Sequence, residues 1–310
     1  MAHEHHDHGI SADADRRWLS LALALLLGFM TAEVAVGLLS GSLALLSDAA
    51  HMTTDAAAIV LALIAIRLAA RPAQGSYTFG LQRAEILSAH VNGVSLLLLA
   101  AYFTYEGIRR LITPPEVEGA LVFVTALVGI AVNLAATWCI RQADRSSLNV
   151  EGAYQHILND LYAFIATAVA GAVVWLTGWS RADAIAALVV AALMVKAGWA
   201  LVTASGRIFL EAAPEHLDPE TMGTALAAVP GVLEVHDLHV WQITSARAVV
   251  SAHVLVEESA DCHAVRVGVS DILHQRYAIE HSTLQVDHAD QPAAEPHCAE
   301  PHGRVYRSAE

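Results

Sequence analysis

The chain has 310 residues, of which 55% are hydrophobic and 15% charged, and its formal net charge is −14. Soluble domains carry about 25% charged residues, so this composition excludes an ordinary soluble protein and indicates membrane spans. The acidic balance, without a basic patch, excludes nucleic acid as a partner, because phosphate binding needs clustered Lys and Arg.

The first 15 residues are polar and rich in His and Asp, and we expect them to form a disordered tail. Six apolar stretches follow, each about long enough to cross the ~30 Å hydrocarbon core, which needs roughly 20 helical residues. They predict a domain of six transmembrane helices over residues 16–206. The spans are expected at Trp18–Leu39, Leu43–Ala70, Ala84–Leu111, Gly119–Ile140, Leu148–Thr177 and Ala182–Ala204.

Arginines near the ends of the spans predict the orientation, because Lys and Arg concentrate on the cytoplasmic side. On the side of the N-terminus lie Arg16, Arg17, Arg67, Arg71, Arg83, Arg141, Arg145 and Arg207. On the other side lie only Arg109, Arg110 and Arg181. This bias predicts that both termini are cytoplasmic.

The pattern changes from continuously apolar to mixed after Arg207, which predicts a separate cytoplasmic domain over residues 207–288. Helical and alternating segments follow one another in the order αββαβ, typical of a small α+β domain with its helices on one sheet face. The segments are Pro214–Val229, Val232–Thr244, Ala248–Glu257, Ala264–Tyr277 and Ser282–Asp287. Residues 289–310 are rich in Pro, His and acidic residues, and we expect a disordered tail.

Two identical dyads of ionisable residues lie inside predicted spans, where such residues are costly and indicate function. His51 and Asp55 are four residues apart in the second span, and His156 and Asp160 are four apart in the fifth. Each pair therefore shares one helix face. At 1.5 Å per residue the first dyad lies roughly 12 and 18 Å from the outer end of its span, and the second lies as far from the inner end. The four side chains are expected to meet near the midplane.

Two imidazoles and two carboxylates make an N2O2 ligand set, which suits tetrahedral Zn²⁺, with Cd²⁺ or Co²⁺ as competitors. One alternative is that the four residues only form ion pairs between helices. Another is a metal enzyme, but catalytic zinc keeps an open position beside a general base, and the sequence has neither HExxH nor a nucleophile with a partner base. Four ligands without a spare acid or base favour carrying an ion over chemistry.

Four further polar residues lie within the spans. Asp48 precedes His51 by one helical turn, so it could support the ligands or line the outer exit path. Glu33, Asn92 and Asn133 could line the cavity, or they could bridge helices by hydrogen bonds. For these residues both interpretations remain open.

Four motifs resemble those of the cation diffusion facilitator family, in particular its zinc-transporting branch. They are Glu33–Asp55, Tyr77–Glu85, Ser147–Asp160 and His236–Glu257. The resemblance covers most of the chain outside the two tails. It implies a homodimer with six spans per subunit, a metallochaperone-like cytoplasmic domain, and exchange of metal for protons. It also implies that zinc binds in the cytoplasmic domain at His236, His253, His281 and Asp287; the alternative is that the histidines are surface residues of a small sheet.

The resulting hypothesis is a zinc efflux transporter of the lipid bilayer, a secondary antiporter and not an enzyme. Zn²⁺ would be the transported substrate and also a regulatory ion of the cytoplasmic domain. An imidazole–carboxylate site loses protons when it binds metal, so protons from the outer side could displace the ion while the helices alternate in access. A carrier of Cd, Co, Fe or Mn and a membrane-bound metal sensor or enzyme are the alternatives. The short loops are typical of a compact bacterial efflux protein, which predicts the inner membrane.

Overall fold

The computed structural model describes residues 12–141, 148–245, 247–289 and 303–308. Within helices it leaves out some side chains, among them those of Asp55 and His156. The N-terminal tail as far as Ser11 and most of the C-terminal tail lie outside the described residues. The elements are α1 Ala12–Ser40, α2 Leu43–Ala69, α3 Ala84–Ile112, α4 Gly119–Arg141, α5 Leu148–Thr177, α6 Arg181–Phe209, α7 Pro219–Ala227, β1 Val232–Thr244, β2 Arg247–Val256, α8 Cys262–Tyr277, β3 His281–His288 and β4 Tyr306–Arg307.

The helices α1 to α6 match the six predicted spans to within one residue at all but two ends. α1 begins at Ala12, within the tail that was expected to be disordered, and α6 continues to Phe209, beyond the expected end at Ala204. The shortest has 23 residues, which at 1.5 Å per residue is about 34 Å and enough to cross a bilayer. Among the described residues, α3, α4, α6 and the Asp160–Thr177 part of α5 are long and apolar enough to span a membrane, and α1 contributes a shorter apolar stretch, Leu27–Ser40. The predicted order of membrane helices followed by an α+β domain is confirmed.

The chain divides into two compact units, and the division falls inside helices. The first unit contains the chain up to Val60 together with Asn92–Ala200. The second contains Leu61–Val91 and everything from Leu201 onward. The second unit therefore extends beyond the domain expected to begin at Arg207, because it includes one end each of α2, α3 and α6.

In the first unit, α4 and α5 touch backbone to backbone at two glycines. A Cβ at Gly119 would lie 2.4 Å from the backbone N of Trp175, and a Cβ at Gly171 would lie 2.6 Å from that of Phe123. Real Cβ atoms do not approach so closely, so only glycine fits these positions. The two contacts make α4 and α5 antiparallel and fix their register.

The hairpin of α1 and α2 turns at Gly41, whose φ of +69° favours glycine. The first turn of α2 is capped by Asp183 of α6, a side chain distant in sequence and buried. The backbone N–H of Leu43 donates to Asp183 Oδ2 at 2.7 Å, and the Ser42 hydroxyl donates to the same carboxyl. Arg110 of α3 donates to the Gly41 carbonyl at 2.7 Å. One end of α2 is thereby tied to both α3 and α6.

In the second unit, a four-stranded sheet has the order β3-β2-β1-β4. β1 and β2 form an antiparallel hairpin, and β3 returns parallel to β2 through α8. Buried residues of α7 and α8, such as Leu226 and Leu273, belong to one core with alternate residues of β2, such as Val250 and Val254. Alternate burial along a strand is what one covered sheet face requires.

α7 begins at the N-cap residue Asp218, whose carboxyl accepts hydrogen bonds from the backbone N–H groups of Glu220 and Thr221, each at 3.2 Å. The Thr221 hydroxyl donates to the same carboxyl at 2.6 Å. These bonds, the hydroxyl's first, lower the pKa of Asp218, because they stabilise its charged form. The cap matches the predicted helix, although the helix starts five residues later than expected.

The C-terminal tail contributes a strand where we expected disorder. Tyr306 and Arg307 form β4, which pairs antiparallel with Val235 and Glu234 at the edge of β1. The Tyr306 ring packs on α7 at Gly223, where a Cβ would lie 2.4 Å from the ring, and burial raises the pKa of its phenol. β4 provides hydrogen-bond partners for backbone groups at an edge of β1 that would otherwise be exposed. Sequence patterns alone do not reveal which segment covers a strand edge.

Candidate metal transport site

Two of the four predicted transport-site side chains are described, and they meet. His51 of α2 places its Nε2 3.7 Å from Oδ1 of Asp160 on α5. Asp55 and His156 occupy helical positions one turn away from these residues, and their side chains lie outside the description. The predicted convergence of the second and fifth helices is therefore observed at the one pair that can be measured.

The pair is enclosed by apolar side chains. Asp160 is 4% exposed, and the His51 side chain is 14% exposed. Nearby, Phe29, Met52 and Phe164 form a buried cluster, and the rings of Phe29 and Phe164 meet edge to face at 5.4 Å. A buried carboxylate in such surroundings needs a compensating positive charge.

The helices around the pair contain no fixed positive charge that could compensate it. The sequence has neither Lys nor Arg in Trp18–Ile66, Gly119–Ile140 or Leu148–Thr177, which form most of α1, α2, α4 and α5. The same stretches contain several carboxyl groups. Within these four helices, a mobile cation, either a metal ion or a proton, can supply positive charge besides the histidines.

Two further carboxyl groups lie beside the pair. Glu33 of α1 is 0% exposed and Asp48 of α2 is 1% exposed. The Glu33 carboxyl lies within electrostatic range of both Asp48 and Asp160. The buried acidic region therefore extends from the His51–Asp160 contact toward the turn between α1 and α2.

In the α+β domain, the predicted residues His236 and His253 are direct partners on β1 and β2. Their ring centroids are 5.3 Å apart, edge to face. Glu234 Oε1 lies 3.3 Å from His236 Nδ1, while its Oε2 accepts from Arg307 of β4 at 3.0 Å. Glu234 was not among the predicted residues, and its contact with Arg307 depends on the pairing of β4 with β1, which the sequence does not reveal.

The other two predicted cytoplasmic residues lie at different distances from this histidine pair. On β3, Gln285 is the residue opposite His253, and Asp287 follows two positions later. Gln285 Nε2 donates to Asp287 Oδ2 at 2.8 Å. His281 lies opposite Val249, four positions before His253, which is about 13 Å along a strand. The register brings Asp287 near the pair and leaves His281 apart.

His239 lies on a face that its sequence position does not predict. A regular strand would put His236 and His239 on opposite faces, but the register shifts between them, and Asp237 adopts a φ of +53°. His239 is therefore opposite Ser251, on the face that carries His253. Across the described residues, no three His, Cys, Asp or Glu side chains converge as a ready metal site.

Comparison with known proteins extends these observations. Residues 19–210 match the model of the cation efflux transmembrane domain, and residues 214–289 match that of the cation efflux protein, cytoplasmic domain. The Metal cation efflux system protein CzcD of Cupriavidus metallidurans is 36% identical over 91% of this chain and 89% of its own length. The Zinc transporter ZitB of Escherichia coli is 35% identical over 96% of this chain and 95% of its own length. The Cadmium, cobalt and zinc/H(+)-K(+) antiporter of Bacillus subtilis is 32% identical over 93% of this chain and 92% of its own length.

The apolar helical domain and the buried imidazole–carboxylate contact are those of an integral membrane protein that transports cations. Because matches cover both domains, the chain belongs to the cation diffusion facilitator family of cation efflux transporters. The family predicted from the four motifs is confirmed. The prediction of a transporter, not an enzyme, is confirmed as well.

Proposed function

We propose that the chain is a zinc efflux transporter that exchanges Zn²⁺ for protons at a tetrahedral site of His51, Asp55, His156 and Asp160. The observation that carries the proposal is the buried contact between His51 and Asp160. The printed names of similar proteins, a zinc transporter and a cadmium, cobalt and zinc antiporter, support zinc as the substrate.

The geometry of the contact supports metal ligation better than a hydrogen bond. N–H···O hydrogen bonds measure about 2.7–3.2 Å, and the observed separation is longer. In a tetrahedral zinc site with bonds of about 2.0–2.2 Å, two ligand atoms lie roughly 3.3–3.5 Å apart. A nitrogen and an oxygen at 3.7 Å therefore need only a small movement to share one ion.

Proton exchange follows from the chemistry of the same ligands. Imidazole and carboxylate bind metal only in their deprotonated forms, so metal and protons compete for the site. Because most of α1, α2, α4 and α5 lacks Lys and Arg, either cation compensates the buried carboxylates. Protons from the outer side displace the ion, and the protonated site returns to the cytoplasmic side by alternating access.

The arginine bias of the sequence supports cytoplasmic termini. The bacterial origin of the similar proteins supports a bacterial inner membrane. We propose a homodimer on the family resemblance and on the matched cytoplasmic domain. Protein partners beyond the second copy are not required by this mechanism, whose substrates are Zn²⁺ and protons.

Flux into proteoliposomes with an imposed pH step tests the proposal. We expect the pH step to drive zinc uptake, with Cd²⁺ and Co²⁺ slower and with Mn²⁺ and Fe²⁺ slowest, because harder ions prefer carboxylate to imidazole. Liposomes without protein serve as the control. Zinc flux that does not change with the pH step would overturn proton exchange. Flux of Mn²⁺ or Fe²⁺ faster than that of Zn²⁺ would make this chain a carrier of those ions.

We also propose that zinc binds the cytoplasmic domain as a regulatory ion at His236 and His253, with Asp287 as the nearest further ligand. The paired rings at 5.3 Å support the two histidines. His281 lies too far along β3 to join them within one domain. A site with two or three ligands from one subunit leaves positions that the second subunit of the homodimer can fill.

The cytoplasmic site is tested by His253→Ala in the full chain, with the transport site disabled by Asp160→Asn. We expect the remaining zinc affinity to fall more than about 10-fold, because mutating even a residue that hydrogen-bonds to a metal ligand lowers metal affinity about 10–100-fold. His274→Ala, an exposed histidine on α8, is the matched control and should leave zinc affinity unchanged. Equal affinity in the two variants would contradict the site.

A further inference from the structure

We propose that Glu33 and Asp48 form a second divalent-cation subsite beside the transport site, on the side of the α1–α2 turn. The inference rests on the proposed function in one respect, that the cation is the transported one. In the proposed orientation, this subsite receives the ion as it leaves the four-ligand site toward the outer surface.

The two carboxyl groups are brought together by the antiparallel packing of α1 and α2. A Cβ at Gly37 would touch the Leu46 side chain, and the Thr53 hydroxyl lies 3.6 Å from Sδ of Met30. Glu33, midway between Met30 and Gly37, is therefore level with the turn of α2 that contains Asp48. The carboxyl groups of Glu33 and Asp48 lie within electrostatic range of each other, as this placement requires.

Glu33 is buried without a hydrogen-bond donor. It is 0% exposed, and in the part of the chain that the structure describes, no N–H group or hydroxyl donates to its carboxyl oxygens, whose neighbour is the carboxyl of Asp48. Buried polar groups in folded proteins are nearly always paired, so an unpaired carboxyl marks a place where a ligand belongs. The carboxyl is directed toward Asp48, and ionised carboxyl groups accept hydrogen bonds but do not donate them.

A cation between the two carboxyl groups resolves this conflict. No Lys or Arg lies on α1 or α2 between Trp18 and Ile66, so neither helix supplies the positive charge, and a bound divalent ion can. Carboxylate oxygens bind divalent cations readily, and without imidazole they hold zinc less tightly than the four-ligand site does. Weaker binding suits an exit position, because the ion must leave it.

A third oxygen lies at the same level. Thr167 of α5 is fully buried, and its hydroxyl has no hydrogen-bond partner among the described residues. α1, like α5, runs antiparallel to α4, because Ser40 at its end meets Glu118 at the start of α4 while Phe29 lies against Gly129. α1 and α5 are therefore parallel to each other. Phe164 packs against Phe29, and Thr167 and Glu33 lie one turn further along their helices in the same direction. Two carboxylates and a hydroxyl make an all-oxygen ligand set.

The test measures zinc binding by the full chain in detergent, with the cytoplasmic histidines removed (His236→Ala and His253→Ala). When Asp55→Asn and Asp160→Asn also disable the transport site, we expect about one weakly bound zinc per chain to remain, with only oxygen ligands in its X-ray absorption spectrum. Adding Glu33→Gln should abolish this binding. Glu118→Gln, an exposed carboxyl of the same unit, is the matched control and should leave it intact.

Three outcomes would overturn the subsite: no residual zinc when the transport site is disabled, residual zinc that survives Glu33→Gln, or a residual ligand shell that contains imidazole. The first would also be the result if the two carboxyl groups simply shared a proton. If Glu33→Gln does not fold, Asp48→Asn replaces it with the same expectation. The proposed function fails separately, when transport survives loss of Asp160.

In the otherwise unmodified chain, Glu33→Gln should slow zinc flux about tenfold at saturating zinc while the zinc affinity of the transport site changes less than about threefold. This split distinguishes an exit subsite from a residue that supports the four ligands, whose loss would weaken affinity first. Glu33→Gln that lowers affinity and leaves the saturated rate unchanged would assign Glu33 to the transport site itself and overturn a separate subsite.

Discussion

Asp160→Asn is expected to lower zinc flux at least about 100-fold, because asparagine keeps the shape of the side chain but removes an anionic ligand from the ion's first coordination sphere. Flux into proteoliposomes under a pH step measures the effect. Glu118→Gln, an exposed carboxyl in the same membrane unit, is the matched control and should transport at the parental rate. Parental flux in Asp160→Asn would reject the four-ligand site.

The same variant separates a metal site from an ion pair that only holds helices together. If His51 and Asp160 stabilise the fold as a pair, Asp160→Asn should lower the thermal unfolding midpoint without metal, because a buried partner is lost. If they bind zinc, the midpoint without metal should hold or rise, since an uncompensated carboxylate is removed. Only the metal site predicts that zinc stabilises the parent chain more than the variant, which keeps its other zinc sites.

Asp183→Ala is expected to destabilise the membrane unit by about 3 kcal/mol, because a fully buried carboxyl that accepts from Ser42 and Leu43 is removed. Each lost charged hydrogen bond is worth about 1.5–3 kcal/mol, and loss of a helix cap alone costs about 1 kcal/mol. The unfolding midpoint of the full chain in detergent measures the change.

Two comparison variants sharpen that result. Asp183→Asn should lose less, since its amide oxygen can still accept from the Leu43 N–H. Glu85→Gln changes an exposed acidic residue in the first turn of α3 and should leave the midpoint within about 1 °C. A loss in Asp183→Ala no larger than that in Glu85→Gln would show that the cap contributes nothing.

The membrane helices and the His51–Asp160 contact could be predicted because their signals are local. A span needs only an apolar stretch of sufficient length, and a dyad spaced by four residues shares a helix face in any helix. Two such dyads, in the second and fifth spans, can serve one ion only if the two helices adjoin, so the repeated motif itself predicts the contact. The prediction therefore needed no knowledge of the packing.

Features that depend on contacts between distant residues could not be predicted. Asp183 caps a helix that begins 140 residues earlier, and no sequence pattern near Leu43 predicts that another helix supplies its cap. The bulge at Asp237 changes the face of His239, because one extra residue reverses the alternation of a strand. The register of β3 separates His281 from His253 by four positions, and register follows from pairing rather than composition.

The glycine contacts between α4 and α5 limit how the transport site can move. α5 carries half of the proposed site, and its backbone lies against that of α4 at Gly119 of α4 and again at its own Gly171. Side chains can change rotamer to let helices slide, but backbone contacts cannot. These contacts oppose a shear of α5 along α4, so in the proposed alternating access we expect the two helices to rotate together as one rigid body against α2, which bears the other dyad.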